Sequence, residues 1–169
     1  MPASPSLLSP DWIAMVAGGV STIVCSSDAA LRPSLMRAVG STITPDGRTV
    51  TVFVARRQSR KLLQDLAATG RIAVVFSQPS SHRTLQVKAN RVQVRPMEAS
   101  DRPLLARYLL AMEQELIAVG VGPPLTRAML AHTPDDVVAI RFDPTDAFDQ
   151  TPGSRAGERL GTQPAGGAA

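Results

Sequence analysis

Six short runs rich in β-branched and apolar residues, at 20–26, 34–43, 49–55, 71–77, 84–95 and 136–142, are interrupted by isolated helical patterns. They show no regular alternation of strand with helix. A parallel sheet needs a crossover helix between successive strands, so this order predicts antiparallel pairing. The expectation is a mainly β, α+β domain: a six-stranded antiparallel barrel with flanking helices. Thr44-Pro45-Asp46-Gly47 places Pro and Gly where a tight turn needs them and predicts a hairpin between the second and third runs. The fourth run, with Ile72-Ala73-Val74-Val75-Phe76, is too apolar to have a wet face and belongs at a sheet centre. In the fifth, Leu85, Val87 and Ala89 share one phase, while Val92 and Val94 share the other. That slip predicts a β-bulge near Asn90-Arg91. The run at 136–142 reads as the last strand, and the small-residue tail at 165–169 as disordered.

Helix signals are local and clear. Ser9-Pro10-Asp11 opens a short helix that carries Trp12, Ile13, Val16 and Ala17 and stops at Gly18-Gly19. Ser59 is placed to cap a second helix, with Leu62, Leu63, Leu66 and Ala67 on one face and Gly70 at its end. Ser100 reads as the cap of a longer helix with Leu105, Leu109, Met112 and Leu116 on one face, ending at Gly120; a short one follows with Leu125, Met129 and Leu130. Such a Met and Leu stripe fits a core or a dimer interface.

The first turn of the second helix is unusual. Arg60 and Lys61, preceded by Arg56 and Arg57, put positive charge at the positive end of the helix dipole. Free N–H groups and cations together make a phosphate site there; a solvated basic turn is the alternative. Arg37 shares a strand face with Leu35 and Val39, so it requires a partner or an edge position from which to reach water.

Composition narrows the function. A chain of 169 residues is one ordinary domain, and a net charge of +4 spread along it, with 4% aromatics, does not make a nucleic-acid surface. One cysteine and two histidines exclude an internal disulfide and argue against a metal centre. Cys25, in a buried strand without a basic neighbour, reads as inert. No apolar run reaches membrane-spanning length and the N-terminus is not signal-like, so no membrane association and a cytoplasmic location are expected.

Arg32-Pro33-Ser34-Leu35-Met36-Arg37, Ser59-Arg60-Lys61, and Phe76 through Pro79 to Arg83-Thr84-Leu85-Gln86-Val87-Lys88 occur in this order on a strand, a helix start and a long strand. In this the chain resembles the FMN-binding split barrels related to pyridoxamine 5′-phosphate oxidase. The resemblance implies a split barrel over residues 1–150, followed by a tail at 151–169. It implies a homodimer with FMN at the interface, its phosphate held by Arg37, Ser59, Arg60 and Lys61. Ala38, Val39, Val54 and Ala55 would line the cofactor, and Thr84 would touch the ring where the oxidases carry glutamine. The Trp- and Arg-bearing end with which the oxidases grip their substrate has no counterpart here, so that activity is not expected. Gln150-Thr151-Pro152-Gly153, with Ala156-Gly157, is similar to the end of small split-barrel relatives and is expected over the cofactor. The resemblance therefore implies a flavin-dependent oxidoreductase whose substrate is not readable. The alternatives are a non-catalytic flavin or haem carrier and a deazaflavin-dependent reductase. No catalytic residue is assigned; His82 is the best-placed proton donor, and a bland turn histidine is its alternative.

Overall fold

A computed structural model describes residues 6–161. The described chain runs through α1 (Pro10–Ala17), β1 (Ser21–Ser27), β2 (Pro33–Arg37), β3 (Gly40–Ile43), β4 (Val50–Ala55), α2 (Arg60–Thr69), β5 (Ile72–Ser77), β6 (Thr84–Ala89) and β7 (Gln93–Pro96). It continues through α3 (Arg102–Ala118), α4 (Pro123–Met129), β8 (Val137–Phe142), β9 (Asp146–Asp149) and β10 (Glu158–Arg159). The strands form a six-stranded sheet, β10-β9-β6-β5-β1-β2, and a four-stranded sheet, β3-β4-β8-β7. Every pairing is antiparallel.

The α+β antiparallel split barrel expected from the sequence is what the chain forms, but its strands are divided differently. The run at 34–43 is not one strand: β2 pairs with β1 in the larger sheet and β3 pairs with β4 in the smaller. Ala38 and Val39 make the crossing, bonding to the Thr22 carbonyl on one side and the Phe53 carbonyl on the other. The run at 84–95 breaks in the same way, so the phase slip at Asn90-Arg91 marks a change of sheet and not a bulge. The run at 136–142 is not the last strand either. The short, Asp-bounded β9 adds to β6, and β10 adds to β9. Six expected runs thus become eight strands, and two more follow.

The core fills the space between the sheets. Val24, Val74, Phe76, Leu85 and Val87 from the larger sheet pack with Val50, Val52, Val54, Val138, Ile140 and Phe142 from the smaller. On the other face of the smaller sheet, Val39, Phe53, Val137 and Ala139 pack under Leu105 of α3. The start of α3 is set by Glu98 and Asp101, in place of the expected Ser100 cap: the two form a reciprocal capping box around a 3-10 turn, and Arg95 grips Asp101 at 2.6 and 2.9 Å. Tyr108 anchors the middle of α3 by donating to the Val20 carbonyl at 2.7 Å. Leu62 and Leu66 drive α2 into the main core, and Gly70 ends it at φ 66°, as its sequence position predicts. In α4, Leu125 is instead exposed. Residues 158–159 rejoin the sheet as β10, and Leu160 packs against the core; the tail at 165–169 lies outside the described residues.

Candidate functional site

The crossing between sheets builds the locus to which the resemblance points. Val39 N–H donates to Phe53 at 2.8 Å, and Ser59 N–H donates to the Ala55 carbonyl at 3.0 Å. Ala38 and Val39, the end of β4 at Val54 and Ala55, and Ser59 at the start of α2 are therefore contiguous. The side chains of Ala38, Val39, Val54 and Ala55 are buried, so their part in holding a ligand falls to the backbone.

At the helix start, the first backbone bond within α2 runs from Leu63 N–H to the Ser59 carbonyl at 2.9 Å. The N–H groups of Arg60, Lys61 and Leu62 thus keep the free first-turn donors of any helix. Ser59 does not cap them. It is 1% exposed, and its hydroxyl has no hydrogen-bond partner among the described residues. A buried unpaired hydroxyl costs roughly 1–3 kcal/mol. Arg60 is exposed and forms no ion pair among the described residues. These groups fit an anion such as a cofactor phosphate.

Lys61 is placed differently. Its ammonium is paired to Asp65, one turn further on, and lies 3.8 Å from Asp28 Oδ2. Asp65 is buried and also accepts from Ser34 Oγ at 2.6 Å. The Lys61 ammonium and the Ser34 hydroxyl hold the Asp65 carboxyl below the usual carboxylate range. Lys61 is thereby committed to the β1–β2 end of the molecule. The i, i+4 spacing of Lys61 and Asp65 was a readable signal for this pair; Asp28 comes from a distant turn and had none.

Arg37 and Thr84 come to the outer face of the larger sheet. Arg37 extends from β2 to donate to Ser21 Oγ on β1 at 2.8 Å. Ser21 faces Ser77 on β5, which faces Thr84 on β6, so the four residues make a polar row across four strands. Thr84 Oγ1 donates to the His82 carbonyl at 3.0 Å and accepts from Ser77 Oγ at 2.9 Å, leaving one lone pair. The Gln150–Gly153 segment closes this end of the row: Gln150 N–H meets the Thr84 carbonyl at 2.8 Å, and Thr84 N–H meets Thr151 Oγ1 at 3.1 Å. Beside it is a cleft of about 430 Å³ lined by Trp12, Arg83, Asp149, Thr151 and Arg155. The Arg83 guanidinium lies 4.7 Å from the Trp12 ring centroid, a contact that no local pattern announced.

His82 sits in an exposed turn at φ 59°. Cys25 is half-buried on the outer sheet face, and burial pushes its thiol up, away from the reactive thiolate. Among the described residues no group of His, Cys, Asp and Glu could hold a metal ion, and no helix is long and apolar enough to cross a membrane.

No family model matches the chain, and no curated protein matches it in sequence. Solved structures match it in shape. HupZ of Group A Streptococcus superposes with a TM-score of 0.53 at 13% identity, over 89% of this chain and 99% of that one. A candidate pyridoxamine 5′-phosphate oxidase of Lactobacillus delbrueckii gives 0.52 at 11%, over 83% and 93%. An F420 reductase gives 0.52 at 17%, over 79% and 93%. At these identities the likeness establishes the fold. The chain has the split-barrel fold of these structures.

Proposed function

We propose that the protein binds FMN and acts as a flavin-dependent oxidoreductase in the form of a homodimer. The observation that carries this reading is the buried Ser59 hydroxyl, without a hydrogen-bond partner among the described residues, beside the free first-turn N–H groups of α2 and Arg60, which forms no ion pair among the described residues. These groups would take the phosphate, with Arg37 approaching from the sheet crossing. Thr84 would orient the ring by accepting from a ring N–H with its remaining lone pair. FMN, when bound, supplies hydride transfer at its ring. The Trp12–Arg83 cleft next to Thr84 leaves room for a substrate.

Dimerisation is supported by the outer face of the larger sheet. Leu35 is 64% exposed there and neighbours the half-buried Ile23, Cys25, Ala73 and Val75. An apolar sheet face of this kind gains by being covered. A dimer mass by light scattering is expected, and a monomer at micromolar concentration would remove this part of the reading.

The likeness to an F420 reductase favours one second reading, a deazaflavin-dependent reductase using the same groove. The visible spectrum of the purified protein, taken before and after FMN is added and the excess removed, tests both. Retained flavin bands support the first reading. A protein that retains F420 but not FMN moves the second ahead, a Soret band makes it a haem carrier, and a protein that keeps no chromophore overturns the site.

A further inference from the structure

The four-stranded sheet has a second open surface, unconnected with the site above. Its outer face alternates with the core-facing residues, and α3 covers only one half of it, where Leu105 packs on Phe53 and Ala139. The other half is more open: Arg141 and Gln93 are exposed, and Thr42 and Thr51 are half-buried in a cleft that the end of α1 also borders. Register puts Thr42, Thr51, Arg141 and Gln93 side by side there, one from each strand in the order β3, β4, β8, β7. Four adjacent strands make this row about 14 Å long. A cleft of about 440 Å³, bordered by Arg107 of α3, opens over the Thr42 end, and one of about 640 Å³, bordered by Arg91, opens over the Gln93 end. Thr51 and Arg141, direct partners in the ladder, join the two clefts, and a 2.7 Å bond from Thr49 Oγ1 to Asp143 Oδ1 ties their rims together.

The charge on this groove is one-sided. Arg91, Arg107 and Arg141 are exposed, and none has an ion-pair or hydrogen-bond partner among the described residues. The lining contains one carboxylate, Asp143, which already accepts from Thr49. Arg32, Arg57, Arg95, Arg127, Arg155 and Arg159 are paired with acids, whereas Arg60 and Arg71, like the three groove arginines, have no ion pair among the described residues; what marks the groove is that three such arginines border one row of strands. The groove carries no exposed aromatic ring on which a base could stack, which separates it from a nucleic-acid track. Guanidinium forks and threonine hydroxyls in a line suit phosphate groups repeated along a short linear chain.

We propose that this groove binds a linear polyphosphate-type anion, with Arg91, Arg141 and Arg107 taking successive phosphates and the Thr42 and Thr51 hydroxyls lying beneath the Arg107 end. Titration calorimetry of the full chain with inorganic tripolyphosphate tests it, with citrate, which offers clustered carboxylates, as the comparison anion. Tripolyphosphate is expected to bind and citrate to bind at least tenfold more weakly. Arg107→Ala and Arg141→Ala should each weaken tripolyphosphate at least fivefold, while Arg71→Ala, an exposed arginine outside the groove, should leave it unchanged. Failure of the wild type to bind tripolyphosphate, or equal losses in all three variants, overturns the proposal. Citrate binding as tightly as tripolyphosphate overturns the phosphate assignment. Arg60→Ala keeps this test apart from the cofactor site: it should lower FMN retention and leave tripolyphosphate untouched, and a loss of tripolyphosphate confined to that variant would also refute the groove.

Discussion

The hydroxyl of Ser34 donates to a carboxylate oxygen of Asp65 at 2.6 Å, joining β2 to the buried side of α2. Lys61 holds the other oxygen, so the helix is tied to the sheet edge through one ionised acid. A carboxyl held below its ordinary 3.8 contributes stability at pH values above that figure and loses it as pH falls through the lowered value. Asp65→Asn keeps an acceptor for Ser34 and discards the charge. The variant should therefore melt below the wild type at pH 7, and the gap should close as pH is lowered below 3.8. A gap of the same size at both ends of a pH series of thermal melts would show that the charge contributes nothing.

The two cations of the helix start should separate in their effects. Arg60 forms no ion pair among the described residues, and Lys61 is held between Asp65 and Asp28. Arg60→Ala should weaken FMN roughly tenfold or more, the loss of a charge-assisted contact. Lys61→Ala should change FMN affinity little and should lower the melting temperature, because Asp65 is left buried without its counter-charge. Titration of apoprotein with FMN, set beside melting curves, distinguishes them. The reverse ranking would mean that Lys61 leaves its acids to meet the phosphate.

The strands were legible because β-branched runs and turn residues report local geometry, and the 44–47 turn does form between β3 and β4. What could not be read was a change of partner. Residues 34–37 and 40–43 have the same β character, and only the tertiary structure sends one pair of edges to each sheet. At Asn90-Arg91 the same event left a trace in the hydrophobic phase, which local reasoning assigns to a bulge. The β9 strand is four residues long and begins and ends in aspartate, so it resembles a turn. At the site, the basic helix start was visible, but Ser59 reads locally as a cap, whereas its hydroxyl is buried and has no hydrogen-bond partner among the described residues.

Tyr108 gives a test of the anchoring of α3. Its hydroxyl is buried, donates to the Val20 carbonyl at 2.7 Å, and is pushed up in pKa by that burial. Tyr108→Phe keeps the ring packing and leaves the carbonyl with the long 3.4 Å bond from Thr22 Oγ1, which should cost roughly 0.5–1.5 kcal/mol, the net worth of one hydrogen bond. Urea unfolding reads this as a lower midpoint at unchanged slope. An unchanged midpoint would mean that water or Thr22 replaces the bond without loss.

Gly18 and Gly19 stand together at the end of α1 and look equivalent in sequence as a helix stop. Their surroundings differ. A Cβ on Gly18 would meet only the Met15 and Ala14 carbonyl oxygens, at 3.4 and 3.5 Å. A Cβ on Gly19 would lie 2.4 Å from the Ala111 carbonyl oxygen and 2.5 Å from Glu115 Cγ. The first obstacle is helix backbone, which cannot rotate aside. The second is a side chain already held by Gln78 Nε2 at 3.2 Å and Ser80 N–H at 3.1 Å. Gly18→Ala should thus change stability by less than about 0.5 kcal/mol, as surface substitutions usually do. Gly19→Ala should lower it by about 1–3 kcal/mol, the usual cost of forcing atoms into a packed contact. Adding Glu115→Ala should recover only part of that loss, since the Ala111 carbonyl remains in the way. Matched urea melts of the three variants decide it. Equal midpoints for Gly18→Ala and Gly19→Ala would show that α3 does not approach the α1–β1 junction as closely as these distances require.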